Sequence, residues 1–213
     1  MKKQNLLKSL ILVISVLTST VVTFASTSVQ QTLNVSAEPT VAIEKTTFLQ
    51  LGEINPENGT HSGLNASFKL QTNGSDDDYI FVVGSKIIQA GNVEVSAFSD
   101  DGQSLLFGRA NEEEFLPTAE AISDAKAGGS NNPNVIAYPI TSMAIDSPMT
   151  VEFVKGLAVS DDTIDCYQVK LNGGTEGTLR QTIGGSPVSG TYKAGQDKSG
   201  SYRAVVYFTA ISK

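Results

Sequence analysis

The sequence predicts an all-β sandwich. Three observations point there: short segments whose apolar residues fall on every second position, turn-forming Gly, Asn, Asp and Pro between them, and no heptad, internal repeat or extended low-complexity tract anywhere in the 213 residues. Period-two alternation is the mark of a strand with one face buried.

The elements are taken in chain order. Residues 1–25 carry Lys2, Lys3 and Lys8, an apolar run from Leu10 to Leu17 and small residues closing on Thr23-Phe24-Ala25. That is the pattern of a secretory signal cleaved after Ala25, the run being interrupted by Ser15, Thr18, Ser19 and Thr20 and short for a bilayer span. Leu33, Val35, Ala37, Pro39, Val41 and Ile43 then alternate just behind the cleavage site. Further strands are expected at Leu64 to Leu70, Tyr79 to Val83, Val93 to Ala97, Leu105 to Phe107, Val135 to Ile140, Met149 to Val154, Tyr167 to Leu171 and Tyr202 to Ile211. Asp101-Gly102 signals a hairpin turn. One segment departs from the pattern: Glu112-Glu113-Glu114 and residues 117–127 have high helix propensity and stop at Gly128-Gly129. They predict one short surface helix in a long connection that crosses from one sheet to the other.

Composition narrows the function. Net charge is −7, and loss of the three signal lysines takes it to −10. Such an acidic domain is a poor match for a phosphate backbone, so no nucleic-acid partner is expected. Cys166 is the only cysteine, so no intrachain disulfide can form, and an inert buried thiol is its ordinary role. A nucleophile-His arrangement would have to use the sole histidine, His61, which lies in the turn-like Asn58-Gly59-Thr60-His61-Ser62-Gly63. The chain lacks the His and Cys that zinc requires, and neither Asp76-Asp77-Asp78 nor Asp161-Asp162 with Asp165 has calcium-loop spacing. No catalysis, cofactor or metal is therefore expected. The glycine-rich Thr182-Ile183-Gly184-Gly185-Ser186 lacks the Lys-Ser/Thr ending of a phosphate loop.

The two ends of the exported chain carry the strongest signal. In residues 202–211, Tyr202, Ala204, Val206, Phe208 and Ala210 form one face, and Val205, Tyr207 and Ile211 make the other apolar as well. Such a strand belongs within a sandwich, yet no downstream strand follows to pair its second edge. The N-terminal alternating segment has the converse problem, an apolar face with little chain before it. Exchange between copies solves both: each N-terminal strand completes the next subunit's sheet, with main-chain bonds setting register and alternate side chains filling a groove. Burial of Val29, Leu33, Val35 and Ala37 would supply on the order of 5 kcal/mol as an upper figure. A head-to-tail contact of this kind does not close and so builds a filament.

The signal, the segment Leu33-Asn34-Val35-Ser36-Ala37-Glu38-Pro39 leading to Val41-Ala42-Ile43, and Ser199-Gly200-Ser201-Tyr202 followed by alternating Val and Phe resemble bacterial fimbrial subunits of the chaperone–usher pathway. The nearest likeness is to the disulfide-free colonisation-factor type of enterobacteria. The resemblance covers both ends of the mature chain, whereas residues 55–195 match only in being β-rich. It implies an incomplete immunoglobulin-like sandwich over residues 39–213, completed by donor-strand exchange with the arm of residues 26–38. Val29, Leu33, Val35 and Ala37 would be the donor plugs, and Tyr202, Ala204, Val206 and Phe208 would line the acceptor groove. It further implies identical or related pilin subunits, a periplasmic chaperone and an outer-membrane usher as partners. The protein would pass through the periplasm to surface fimbriae that attach to host-cell receptors. A monomeric exported carbohydrate- or receptor-binding β-sandwich is the alternative, with the N-terminal strand packed on its own domain.

Overall fold

Alternation becomes eleven strands in the computed structural model, which describes residues 39–45, 61–110, 112–145, 149–159, 162–185 and 195–213. The signal segment and the donor arm, with Val29, Leu33, Val35 and Ala37, lie outside the described residues. Strands β1 (Val41–Lys45), β2 (His61–Thr72), β9 (Glu176–Gly185), β6 (Val135–Ile145), β5 (Ser104–Arg109) and β10 (Tyr202–Arg203) form one sheet in the order β1-β2-β9-β6-β5-β10. The second has the order β11-β3-β8-β7, from β11 (Val205–Ser212), β3 (Tyr79–Gln89), β8 (Asp162–Lys170) and β7 (Thr150–Val159), with β4 (Val93–Val95) paired to the far end of β3. The strand pairs are antiparallel in both sheets, and the protein is an all-β sandwich.

Phe68, Leu70, Leu179 and Ile183 of the first sheet and Phe81, Val83, Tyr167 and Val169 of the second form the buried core. At one end, Phe98 meets Phe153 and Tyr167 edge to face at 6.0 and 5.2 Å, an arrangement favoured by the ring quadrupoles. The Tyr167 hydroxyl donates to the carbonyl of Gly102, whose φ of 72° and ring contact with Phe153 leave no room for a side chain. The Asp101-Gly102 turn is thus tied to the core it terminates.

Four expectations are corrected. Residues 61–63 belong to β2, with His61 opposite Gly185, rather than to a turn. Residues 182–185, read only as part of a glycine-rich run, belong to the central strand β9, because Leu179 and Ile183 anchor its inner face while β2 and β6 supply both ladders. The helix is α1 (Ala119–Lys126), capped where the Thr118 hydroxyl accepts from the Ala121 N–H at 3.2 Å and followed by Gly128 at φ 76°. It buries Ala121, Ile122 and Ala125, and its connection joins β5 to the adjacent β6 of the same sheet instead of crossing over. The terminal strand is divided: β10 pairs with β5, Ala204 breaks the ladder, and β11 pairs with β3 in the other sheet.

Arg109 fixes that changeover. Its guanidinium donates to the carbonyls of Ala110 at 2.6 Å and Ser201 at 3.2 Å and pairs with Glu112 at 2.5 Å. Gly200, at φ 131°, passes so close over it that any Cβ would collide with the guanidinium.

Candidate functional site: the open edge of the last strand

Strand β11 pairs with β3 along all eight of its residues, from Val205 opposite Lys86 to Ser212 opposite Tyr79. Its other edge has no partner among the described residues, and β11 ends its sheet. A bare edge of this length presents a row of unpaired N–H and C=O groups.

The side chains at this edge are unfinished in the same sense. Val206, Phe208 and Ala210 face inward with Tyr202 and Ala204, and all five pack on the core while remaining only half-buried. On the opposite face, Val205 is 40% exposed, whereas the Tyr207 ring lies directly on Gly84.

Two contacts place the open side. Phe208 meets Phe68 edge to face at 6.0 Å, so β11 passes over β2 at that point. The Tyr79 ring packs on Gly74 and its hydroxyl donates to the Pro39 carbonyl at 2.8 Å, which puts β3 toward the Thr72 end of β2. The unpaired side of β11 therefore faces the other way along β2, toward Ala66. There the inner face of the first sheet presents the cross-strand row Ala66, Gln181 and Met143. Ala66 and Met143 are half-buried. Gln181 is fully buried, and neither its amide nitrogen nor its amide oxygen has a hydrogen-bond partner among the described residues.

The structure thus gathers Val206 and Phe208 at one edge, with Ala204 at the sheet change. Tyr202 stands apart in the first sheet, opposite Arg109, with its hydroxyl donating to the Lys198 carbonyl at 2.8 Å. Phe68, beneath Phe208, and the neighbouring Ala66, Gln181 and Met143 of the first sheet were not singled out from the sequence. The alternation of β2 marks Ala66 and Phe68, but nothing local assigns Gln181 to an interior face.

Other chemistry is weakly provided. Cys166 is fully buried, and burial pushes its thiol up to about 11, the wrong direction for a nucleophile. Asp76 accepts from the Leu171 N–H and Asp78 from Ser75, so both serve as loop ties. Among the described residues, no group of His, Cys, Asp and Glu is placed to hold a metal, and no helix is long and apolar enough to cross a membrane.

A cleft of about 460 Å³ opens where the β3–β4 turn meets β10. Two cations on its lining are engaged within the fold, Lys86 with Glu94 at 2.7 Å and Arg109 with Glu112, while Arg203 is exposed. No family model, curated protein or solved structure matches the chain.

Proposed function

We propose that the protein is a structural subunit of an adhesive surface fimbria. Its domain is an incomplete immunoglobulin-like sandwich, and the N-terminal strand of the next subunit, residues 26–38, fills the place beside β11. The observation that carries this reading is the coincidence, on one strand, of a main-chain edge with no partner among the described residues and the half-buried Val206, Phe208 and Ala210. An inserted strand would satisfy both at once, its backbone extending the β11 ladder and its alternate Val29, Leu33, Val35 and Ala37 covering the core. The arm belongs to one copy and the edge to another, so assembly runs head to tail into a fibre. The proposal includes export, a chaperone that covers the edge before assembly, an outer-membrane usher and attachment to host cells through the fibre.

Leu33→Asp tests the donor assignment. A carboxylate forced into an apolar groove costs several kcal/mol, so fibres should be absent by electron microscopy while the chaperone-held subunit still folds. Normal fibres from this variant would refute the assignment.

The cleft at β10 favours a second reading, a monomeric exported binding module for a carbohydrate or receptor. Size-exclusion chromatography separates the two. Orderly polymers support the fimbrial subunit, whereas a stable monomer whose melting is unchanged by deletion of residues 26–37 supports the module.

A further inference from the structure

We infer that the outward face of the second sheet is an interaction surface for a second copy of this chain, two such faces meeting about a two-fold axis. The inference goes beyond the fimbrial reading and does not depend on it, because β11, β3, β8 and β7 form the face without any added strand.

The first observation is a sheet that is apolar on both sides. Phe81 and Val83 of β3 point into the core, so Ile80 and Val82 point outward. Register carries that face across the sheet: Ile80 stands opposite Ile211, Val82 opposite Gln168, and Gly84 opposite both Tyr207 and Cys166, with Val154 on the far side of Cys166. Ile164 lies two residues before Cys166 on the same side of β8. Ile80, Tyr207, Ile211, Val154 and Ile164 lie outside the core and are only half-buried. An antiparallel sheet with one face on a core ordinarily turns polar residues to water. The first sheet does so at β2 and β9, where Lys69 stands opposite Thr178 and Ser67 opposite Arg180. The second does not, and the unbroken apolar runs Tyr79 to Val83 and Val205 to Phe208 are its trace in the sequence.

The second observation is charge, which identifies the occupant. The chain carries −7 overall, so two copies repel unless they meet where charge is balanced. On this face Lys86 pairs with Glu94 at 2.7 Å and Lys170 with Glu152 at 3.1 Å, and Asp162 at the start of β8 adds one carboxylate. The acidic excess lies instead in segments such as Asp76-Asp77-Asp78 and Glu112-Glu113-Glu114. Two copies of this face therefore meet with little repulsion, apolar centre on apolar centre, inside a rim of charges already paired within each copy.

The third observation is size. Four strands about 4.8 Å apart and eight residues of about 3.4 Å each make a face of roughly 19 by 27 Å, or about 500 Å². Two copies packed about 10 Å apart, as the sheets of a sandwich are, bury about 1,000 Å² between them. That is the lower bound for a specific contact, so the association is weak in dilute solution and grows where copies are crowded. The chain's longer connections outside the described residues, 46–60 and 186–194, leave from and return to strands of the first sheet, which favours another molecule over the chain itself as the cover.

The test is cross-linking of the full chain through a cysteine placed on the face, since native Cys166 is sealed from solvent. Gln168→Cys, midway along the face, should give covalent dimers with a short bismaleimide, in a yield that rises with protein concentration. Lys69→Cys, on the polar face of the first sheet, should give only the background of random collision. Ile164→Lys added to Gln168→Cys should lower the association constant about tenfold, because an unpaired ammonium is forced against apolar groups. Equal dimer yields from Gln168→Cys and Lys69→Cys, or a yield that Ile164→Lys leaves unchanged, overturn the inference. A folded Gln168→Cys protein that resists a monofunctional maleimide overturns it as well, since the face is then covered by its own chain. If the Ile164→Lys protein does not accumulate folded, Val205→Lys, at a position already 40% exposed, replaces it with the same expected loss.

Discussion

Cys166 and Asp101 illustrate how single residues answer to their surroundings. Cys166 lies opposite Gly84 on β3 and Val154 on β7, on the face of its strand away from Tyr167, and is sealed from solvent. Its raised pKa and burial predict that the native protein resists iodoacetamide at pH 8, with modification appearing only as the chain unfolds in urea. Rapid labelling of folded protein would contradict the burial. The Asp101 carboxylate accepts from the Ser99 hydroxyl at 2.6 Å and the Gln103 N–H at 2.9 Å, bonds that hold its pKa below the usual range. A depressed carboxyl pKa stabilises the fold above the unfolded value near 4, and that contribution disappears as pH falls through the lower folded value. Asp101→Asn should therefore reduce the melting temperature at pH 7, modestly because the group is exposed, and the difference from the parent should close near pH 2. A difference that persists at pH 2 would place the effect elsewhere.

At the scale of elements, the attachment of β11 to β3 depends on Gly84, whose missing side chain makes room for the Tyr207 ring. Gly84→Ala should displace the ring and destabilise the domain by about 1–3 kcal/mol, as overpacking commonly does. Urea unfolding checks this, and an unchanged midpoint would show that Tyr207 yields freely. Strand β2 was legible because its inner residues are regularly spaced from Leu64 to Leu70, and β6 because Val135 to Tyr138 is a continuous apolar run. Strand β9 was not, since Leu179 and Ile183 are its only large apolar residues and a glutamine occupies the inward position between them. The helix was legible from Thr118 and Gly128, which mark its ends. Its destination was not, because a long connection says nothing about which sheet receives it. The division of β10 from β11 was equally hidden: the apolar face of Tyr202, Ala204, Val206, Phe208 and Ala210 runs without a break, and the change of sheet comes from distant Arg109 and Gly200 gripping its approach. Of the candidate site, the apolar inward face of the last strand was readable, while the Ala66–Gln181–Met143 row of the first sheet depends on register between strands far apart in sequence.

For the whole molecule, the proposed insertion of a strand beside β11 would make stability and assembly draw on the same surface. No intrachain disulfide is possible with Cys166 alone, so the sandwich relies on its packed core. An uncovered edge invites pairing with any extended chain, which under the proposed assembly is both the arm's opportunity and the isolated subunit's hazard. Amide hydrogen exchange along β11 reads this directly, because the alternate N–H groups that point away from β3 have no strand partner among the described residues. Those amides should exchange rapidly in the monomer and slow by orders of magnitude in the fibre, while the amides bonded to β3 are protected in both. Equal, rapid exchange of the outward amides in monomer and fibre would contradict insertion of a strand beside β11.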